Sequence, residues 1–245
     1  MNETLQQWMD ESTRLVFFGG AGVSTESGIP DFRSVDGLYH QAYDVPPEVI
    51  LSHSFYERDP ETFFRFYREK LLCLTAQPNA AHRQLARLEQ VGKLRAVITQ
   101  NIDGLHQAAG SRMVLELHGS VHRNYCEQCH RLYDAAFMKA SSGVPTCACG
   151  GRIKPDVVLY GEPLDSGVME QAIRFLREAD LLLVAGTSLS VYPAAGLLRY
   201  FGGAHLVLIN RDATPMDSTA DLVIRGRVGE VLGSLRIPPL APEKG

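Results

Sequence analysis

Four of the five cysteines fall in two close pairs whose spacing is that of a metal site. Cys126-Glu127-Gln128-Cys129 is followed, after seventeen intervening residues, by Cys147-Ala148-Cys149-Gly150-Gly151. Thiolates from two such knuckles complete a tetrahedral zinc site, and four protein ligands leave no position for a substrate, so the metal would be structural. The usual second knuckle has two residues between its cysteines; this one has Ala148 alone. Gly150 and Gly151 can give the tight backbone that a shorter loop needs. His122 or His130 could also stand in as a ligand. Cys73, in an apolar helical stretch, reads as a buried hydrophobe.

A second group of residues suits a nucleotide. An apolar run ends in Gly19-Gly20-Ala21-Gly22-Val23-Ser24-Thr25. Glycines placed there let the backbone approach a pyrophosphate, whose charge is met by N–H groups at a helix start. The third glycine of the usual dinucleotide fingerprint is missing, with Thr25 near its place, and no second strand follows to carry the usual acidic residue. An ordinary dehydrogenase is therefore disfavoured. Gly28 and Pro30 break any helix in the segment that follows, so a loop would carry Asp31, Phe32 and Arg33 over the ligand. An arginine suits phosphate and an aromatic ring can cover a flat ligand. On these residues alone, a surface Arg33–Asp31 pair and a core phenylalanine serve equally well. His118 follows the alternating Val114-Leu115-Glu116-Leu117. An imidazole has the right ordinary pKa for a general base, although a lone histidine is more often structural. No convincing Ser–His–Asp or Cys–His arrangement accompanies it, which leaves no protein nucleophile.

These residues need a frame, and short apolar runs supply it. Leu15–Phe18, Arg95–Ile98, Leu181–Ala185 and Leu206–Ile209 are short runs, apolar but for Arg95, as in parallel strands covered on both faces. Asn79 can cap a helix carrying Leu85 and Leu88 on one face that stops near Gly92, and Pro163 can start another whose Val168, Ile173 and Phe175–Leu176 suit packing on the sheet. Strands alternating with helices predict an α/β fold with a doubly wound parallel sheet. Ligands in such sheets bind beyond the carboxyl ends of the strands. The glycine turn, Gln100–Asp103, Gly186–Ser188 and Asn210 all fall at such ends, so they converge on one crevice. Asn101 and Asp103 could each be a mere turn former, but four successive polar strand ends argue for a site. Residues 34–74, aromatic and helical in flavour, and 121–154, with the cysteines, break the alternation. The division this predicts is a Rossmann-like domain of residues 1–33, 75–120 and 155–245. A smaller domain is built from a helical module, 34–74, and a zinc-binding module, 121–154.

Composition excludes several functions. A formal net charge of -4 offers no basic field for a phosphate backbone, so no direct nucleic-acid binding is expected. No stretch reaches the ~18 apolar residues of a membrane span. The polar start MNETLQQWMDES lacks the features of a signal peptide, so the expected location is cytoplasmic. In that reducing compartment, five cysteines point to metal or chemistry rather than disulfides.

Gly20-Ala21-Gly22-Val23-Ser24-Thr25-Glu26-Ser27-Gly28-Ile29-Pro30-Asp31-Phe32-Arg33 resembles the signature of the sirtuin family of NAD-dependent protein-lysine deacylases, in its bacterial type. Thr99-Gln100-Asn101-Ile102-Asp103-Gly104-Leu105-His106, Leu117-His118-Gly119, Gly186-Thr187-Ser188-Leu189 and Ile209-Asn210 resemble further motifs of that family, in order along nearly the whole chain. The resemblance implies NAD as co-substrate and one structural zinc ion on Cys126, Cys129, Cys147 and Cys149. Gly20, Ala21, Gly22, Thr25, Asp31, Phe32 and Arg33 would form the cofactor loop around the diphosphate and nicotinamide ribose. Gln100, Asn101, Ile102 and Asp103 would hold the nicotinamide end, and Gly186, Thr187, Ser188, Asn210, Arg211 and Val228 the adenosine half. Asn210 is suited to a ribose hydroxyl, since an amide both donates and accepts. His118 would be the catalytic base, accepting a ribose hydroxyl proton, with Asn101 and Asp103 beside it. Lys154-Pro155-Asp156-Val157-Val158-Leu159-Tyr160-Gly161-Glu162 resembles the segment that takes the acetylated lysine of a protein or peptide by strand addition. Val158, Tyr160 and Val191 would line the lysine tunnel. On periodicity alone the segment is equally a core strand.

Desuccinylase-type members carry a Tyr-x-x-Arg pair for an acidic acyl tail. Here Tyr67-Arg68-Glu69-Lys70 puts lysine at the arginine position, and lysine lacks the planar fork for a carboxylate. Acetyl or other uncharged acyl groups are therefore expected, removed by a monomeric enzyme. The rival readings are a mono-ADP-ribosyltransferase, a desuccinylase-type deacylase and a non-enzymatic NAD-binding module. The last has no need of a base such as His118.

Overall fold

The computed structural model describes residues 2–32, 37 and 45–237. Helix α1 (Glu3–Glu11) leads into strand β1 (Leu15–Gly19). Short helices α2 (Pro47–Ile50), α3 (His53–Arg58) and α4 (Pro60–Phe66) follow, the last two capped by the side chains of Ser52 and Asp59. Helix α5 (Ala80–Gln90) begins with the capping box of Asn79 and His82 and delivers the chain to β2 (Leu94–Thr99). Next come α6 (Leu105–Ala108), β3 (Val114–Glu116), β4 (Gly119–Cys126), β5 (Leu132–Tyr133), α7 (Ala135–Ala140) and β6 (Ile153–Val157). The chain closes with α8 (Ser166–Glu178), β7 (Leu181–Ala185), β8 (His205–Asn210), β9 (Leu222–Arg225) and α9 (Val228–Gly233). The start of α8 lies three residues beyond Pro163, because the Asp165 side chain accepts the Val168 N–H and takes the capping role.

Six strands form one parallel sheet in the order β3-β2-β1-β7-β8-β9. This is the doubly wound arrangement, whose strand order reverses between β1 and β7. Successive residues of β1 go to opposite faces. Leu15 and Phe17 join Leu5, Leu85 and Leu232 on one side, while Val16 and Phe18 join Leu176, Val184 and Leu198 on the other. Each such side chain removed from water contributes about 1.5–3 kcal/mol, so the position of the sheet's carboxyl edge is strongly determined.

A third core holds the two insertions together. Phe55, Tyr56, Phe63 and Phe64 from the helical segment pack with Cys126, Met138, Cys147 and Ile153 from the cysteine-bearing segment. Strands β5-β4-β6 form its antiparallel sheet. Strands β4 and β6 run across the 120/121 and 154/155 borders, since ladder pairing continues from the small sheet to the edge of the crevice. No described helix is long and apolar enough to cross a membrane.

Candidate functional site

Strands β1, β2, β7 and β8 all deliver polar or glycine-rich turns to the same sheet edge, and there a cavity of about 630 Å³ opens. After β1 the chain makes two single turns, Ala21–Val23 and Thr25–Ser27, in place of a full helix. Gly22 lies against Gly186 of the turn after β7, its N–H donating to the Gly186 carbonyl at 2.8 Å. A Cβ on Gly22 would meet the Gly186 Cα at 2.8 Å, so only glycine fits this crossing. Glu26 fastens the loop from behind by accepting the Gly229 N–H at the start of α9, at 2.6 Å.

A hydrogen-bonded group of side chains forms the floor. The Ser24 hydroxyl donates to Asp103 Oδ2 at 2.6 Å and accepts from Asn101 Nδ2 at 3.1 Å. Asp103 Oδ1 accepts the Leu105 N–H at 2.9 Å. Behind Ser24 stands His82, fully buried, with Nε2 3.5 Å from the hydroxyl. The Asn79 N–H donates to His82 Nδ1, which places that histidine's proton on Nε2, facing Ser24. The Asn79 amide also donates to the Val23 carbonyl at 2.7 Å, so one helix cap locates both His82 and the glycine loop.

His118 lies just past β3, and its Nδ1 is 3.0 Å from the Gln100 carbonyl. A carbonyl can only accept, so Nδ1 carries the hydrogen and Nε2 keeps a lone pair. Burial holds the imidazole pKa below its ordinary value, opposed in part by the Gln100 carbonyl. At neutral pH His118 is thus an unprotonated base. Its own carbonyl accepts the Val158 N–H at 3.0 Å, which ties the base to the chain after β6. There burial alternates: Val157 and Leu159 enter the small-domain core, while Val158 and Tyr160 stay on the open side. Strand β6 ends at Val157, and the remainder of this segment borders the cavity.

The cavity brings together Gly20, Ala21, Gly22, Thr25, Asp31, Phe32, Gln100, Asn101, Ile102, Asp103, His118, Gly186, Thr187, Ser188, Asn210, Arg211 and Val228, and with them Val158, Tyr160 and Val191. Arg33 lies outside the described residues. Asp31 pairs with Arg211 at 3.4 Å, a partner 180 positions away that no local pattern could supply. The Asn210 amide holds both the N–H and the carbonyl of Thr187, at 3.1 and 2.6 Å. Its first role is to fix the turn after β7, with one lone pair and one hydrogen left for a ligand. Sequence reasoning missed Ser24 and His82 as parts of this site. Ser24 stood inside the glycine motif, and the signal for His82 was its place three residues after a helix cap.

Across the small domain, the four cysteine sulfurs lie within 4.8 Å of one another. Cys126 and Cys149 are 3.4 Å apart, and Cys129 and Cys147 3.6 Å. Four tetrahedral Zn–S bonds of about 2.3 Å put sulfurs about 3.8 Å apart, so the set fits zinc despite the short second knuckle. The zinc would supply structure, with all four positions filled by thiolates. His122 serves elsewhere, its Nε2 3.0 Å from the Asp103 carbonyl. Cys73 is only partly buried, and that burial pushes its thiol pKa up.

Comparison with known proteins decides the family. The Sir2 family pattern matches residues 20–193. NAD-dependent protein deacetylases of Clostridium perfringens and Clostridium acetobutylicum are 57% and 56% identical to the chain. These matches cover 94% and 93% of it, and 96% and 95% of the relatives. The chain belongs to the Sir2 family. A solved Sir2 histidine-to-alanine variant with a deacetylated peptide and 3'-O-acetyl ADP-ribose is similar at a TM-score of 0.88 and 41% identity. The match covers 94% of this chain and 95% of that one. A Sir2 homologue in complex with NAD is similar at a TM-score of 0.84 and 41% identity, covering 95% and 91%. This Sir2 chain therefore carries the fold, the crevice and the cysteine cluster read from its motifs. Ser24 and His82 sit among them as a supporting layer behind Asn101 and Asp103.

Proposed function

We propose that this Sir2 protein is an NAD-dependent protein-lysine deacetylase, converting acetyl-lysine, NAD and one water to free lysine, nicotinamide and 2'-O-acetyl-ADP-ribose. The observation that carries the reading is His118, locked by the Gln100 carbonyl with Nε2 unprotonated at the cavity that the glycine loop and Asn101–Asp103 enclose. NAD, as co-substrate, brings the anomeric carbon that the acyl oxygen attacks. His118 accepts the proton of a ribose hydroxyl, allowing that oxygen to attack the activated acyl carbon. Asn101 and Asp103, held by Ser24, orient the nicotinamide end. Gly20, Ala21, Gly22, Thr25, Phe32 and Arg33 take the diphosphate side, and Gly186–Ser188, Asn210, Arg211 and Val228 the adenosine side. Val158, Tyr160 and Val191 guide the acyl-lysine.

Residues 1–33, 75–120 and 155–245 form the NAD-binding domain in this reading, with 34–74 and 121–154 as the small domain; the separate core that joins the two insertions supports the division, with Val157 and Leu159 reaching into it across the 154/155 border. The enzyme acts as a cytoplasmic monomer on protein lysines and needs no nucleic acid. Lys70 borders the cavity as a point charge, without the fork that would hold a carboxylate tail, which favours acetyl over succinyl. An acetyl-peptide assay with and without NAD, run beside His118→Ala, tests the mechanism. NAD-independent turnover, or undiminished turnover in the variant, overturns it. A succinyl version of the same peptide turning over faster sinks the acyl preference.

A further inference from the structure

The ladder between β4 and β6 is interrupted. Gly119 and Ser120 pair with Val157 and Asp156, but the next pair is Asn124 with Pro155, so Val121, His122 and Arg123 have no ladder partner on β6, although the Arg123 side chain reaches Asp156 at 2.7 Å. On the β4 side this bulge serves the cofactor loop. The Val121 N–H donates to the Ile102 carbonyl at 3.0 Å, and His122 reaches the Asp103 carbonyl. On the β6 side a lysine takes the missing partner's place. Lys154 is 8% exposed, and its Nζ donates to the carbonyls of Pro155 and Val157 at 3.3 and 3.2 Å. Its third contact, also 3.2 Å, is Glu162 Oε2.

Glu162 closes the loop. The same Oε2 accepts the Leu159 N–H at 2.9 Å, and Oε1 meets His53 Nδ1 at 2.9 Å. Burial raises the Glu162 carboxyl pKa, but the Leu159 N–H, His53 and Lys154 together hold it below the usual range, so it stays charged. Between these two residues lies the chain whose Val158 N–H binds the His118 carbonyl and whose Tyr160 exchanges hydrogen bonds with Leu51 and His53.

We propose that Lys154 is a positioning residue for the acyl-lysine: closed on Glu162, its ammonium sets the backbone from Pro155 to Tyr160 along which the substrate lysine passes. The inference rests on the deacetylase reading. Nothing in the clamp touches the glycine loop or the adenosine side, and its one link to the base is the Val158 N–H on the His118 carbonyl, so its main effect falls on the acyl-lysine. A buried ion pair kept only for stability would affect both substrates alike, and could be exchanged for apolar or neutral groups without harm.

The test uses the full chain with a fluorescent acetyl-lysine peptide, comparing wild type, Lys154→Met and Lys154→Met/Glu162→Gln. In Lys154→Met the peptide KM and the peptide dissociation constant rise about tenfold or more, while kcat and the NAD KM stay within about threefold, since misplacement of a binding wall affects the group it guides. The single variant melts at a lower temperature because Glu162 loses its cation. The double variant regains much of that loss, yet the peptide KM stays raised. A folded single or double variant with wild-type peptide affinity overturns the inference, as does an NAD KM rising in step with the peptide KM. Wild-type protein without NAD-dependent deacetylation overturns the functional reading, and the inference with it.

Discussion

The crevice and the cysteine cluster both gather polar side chains, but they leave them in opposite states. In the cluster every sulfur faces other sulfurs, and two of the four cysteines are buried in the small-domain core. In the crevice the hydrogen bonds run to the rear. His118 uses Nδ1 on Gln100, Asn101 uses its amide on Ser24, and Asp103 uses its oxygens on Ser24 and Leu105. Groups held from one side are rigid yet still able to bind on the other, as a reactive site requires. Groups satisfied on all sides give stability alone.

The largest effect should come from opening the closed site. Structural zinc binds with about 10–16 kcal/mol, comparable with the whole stability of a domain, about 5–15 kcal/mol. Cys126→Ser, or chelation of the wild type, should empty the cluster and unfold the small domain, because Cys126 shares its core with Phe63, Met138 and Ile153. Metal analysis together with near-UV circular dichroism checks this. Full tertiary signal without zinc would erase the contrast between the regions. His118→Ala should do the reverse: turnover falls by about 10²–10⁴ for loss of a general base, while the melting temperature barely moves.

Acid should divide the two regions again. Burial holds His82 down to about 4 and His106 down to about 3, against an ordinary 6.5, so the folded chain binds fewer protons than the unfolded one below pH 6.5. Stability therefore falls as the pH drops from about 6.5 towards 4, on the order of 3 kcal/mol by about pH 5. Urea unfolding at pH 7 and pH 5 measures it, and His106→Phe should reduce the loss. The acid limb of kcat/KM should lie below pH 6.5 as well, because His118 is also held below its ordinary value. A limb above pH 7 would contradict the assignment of His118 as the base.

What the sequence revealed follows the same division between local and distant. Leu181–Ala185 and its sister strands were legible because a run buried on both faces is written as consecutive apolar residues. The glycine turn, Gln100–Asp103 and Asn210 were legible because a parallel sheet brings all such ends to one edge. Strand β9 was not, since Leu222, Val223 and Ile224 are only half-buried at the sheet edge and mimic an ordinary loop. The Ser24–His82 contact spans 58 positions and depends on how a helix cap meets a loop. The three-residue bulge in β4 could not be seen either, because Val121 and His122 bond Ile102 and Asp103, some nineteen positions away, and Arg123 bonds Glu116 and Asp156.

The smallest effect concerns the irregular knuckle. Cys126 Sγ accepts N–H groups from Gln128 and Cys129 at 3.4 and 3.5 Å, the usual support from a knuckle with two intervening residues. The second knuckle is one residue shorter, and the Gly150 N–H goes to the Cys147 carbonyl rather than to its sulfur. The Tyr133 hydroxyl fills that role, donating to Cys147 Sγ at 3.0 Å. The Cys149 N–H and this hydroxyl hold the Cys147 thiol down to about 6. A donor outside the ligand set should matter for retention of the metal rather than for capture. Tyr133→Phe should release zinc to a chelator about tenfold faster, and shift the thiolate-to-metal absorption of the cobalt-substituted protein, with turnover of the zinc-loaded enzyme unchanged. Equal release from variant and wild type would mean that the sulfurs and the Cys149 N–H close the shortened knuckle without the hydroxyl.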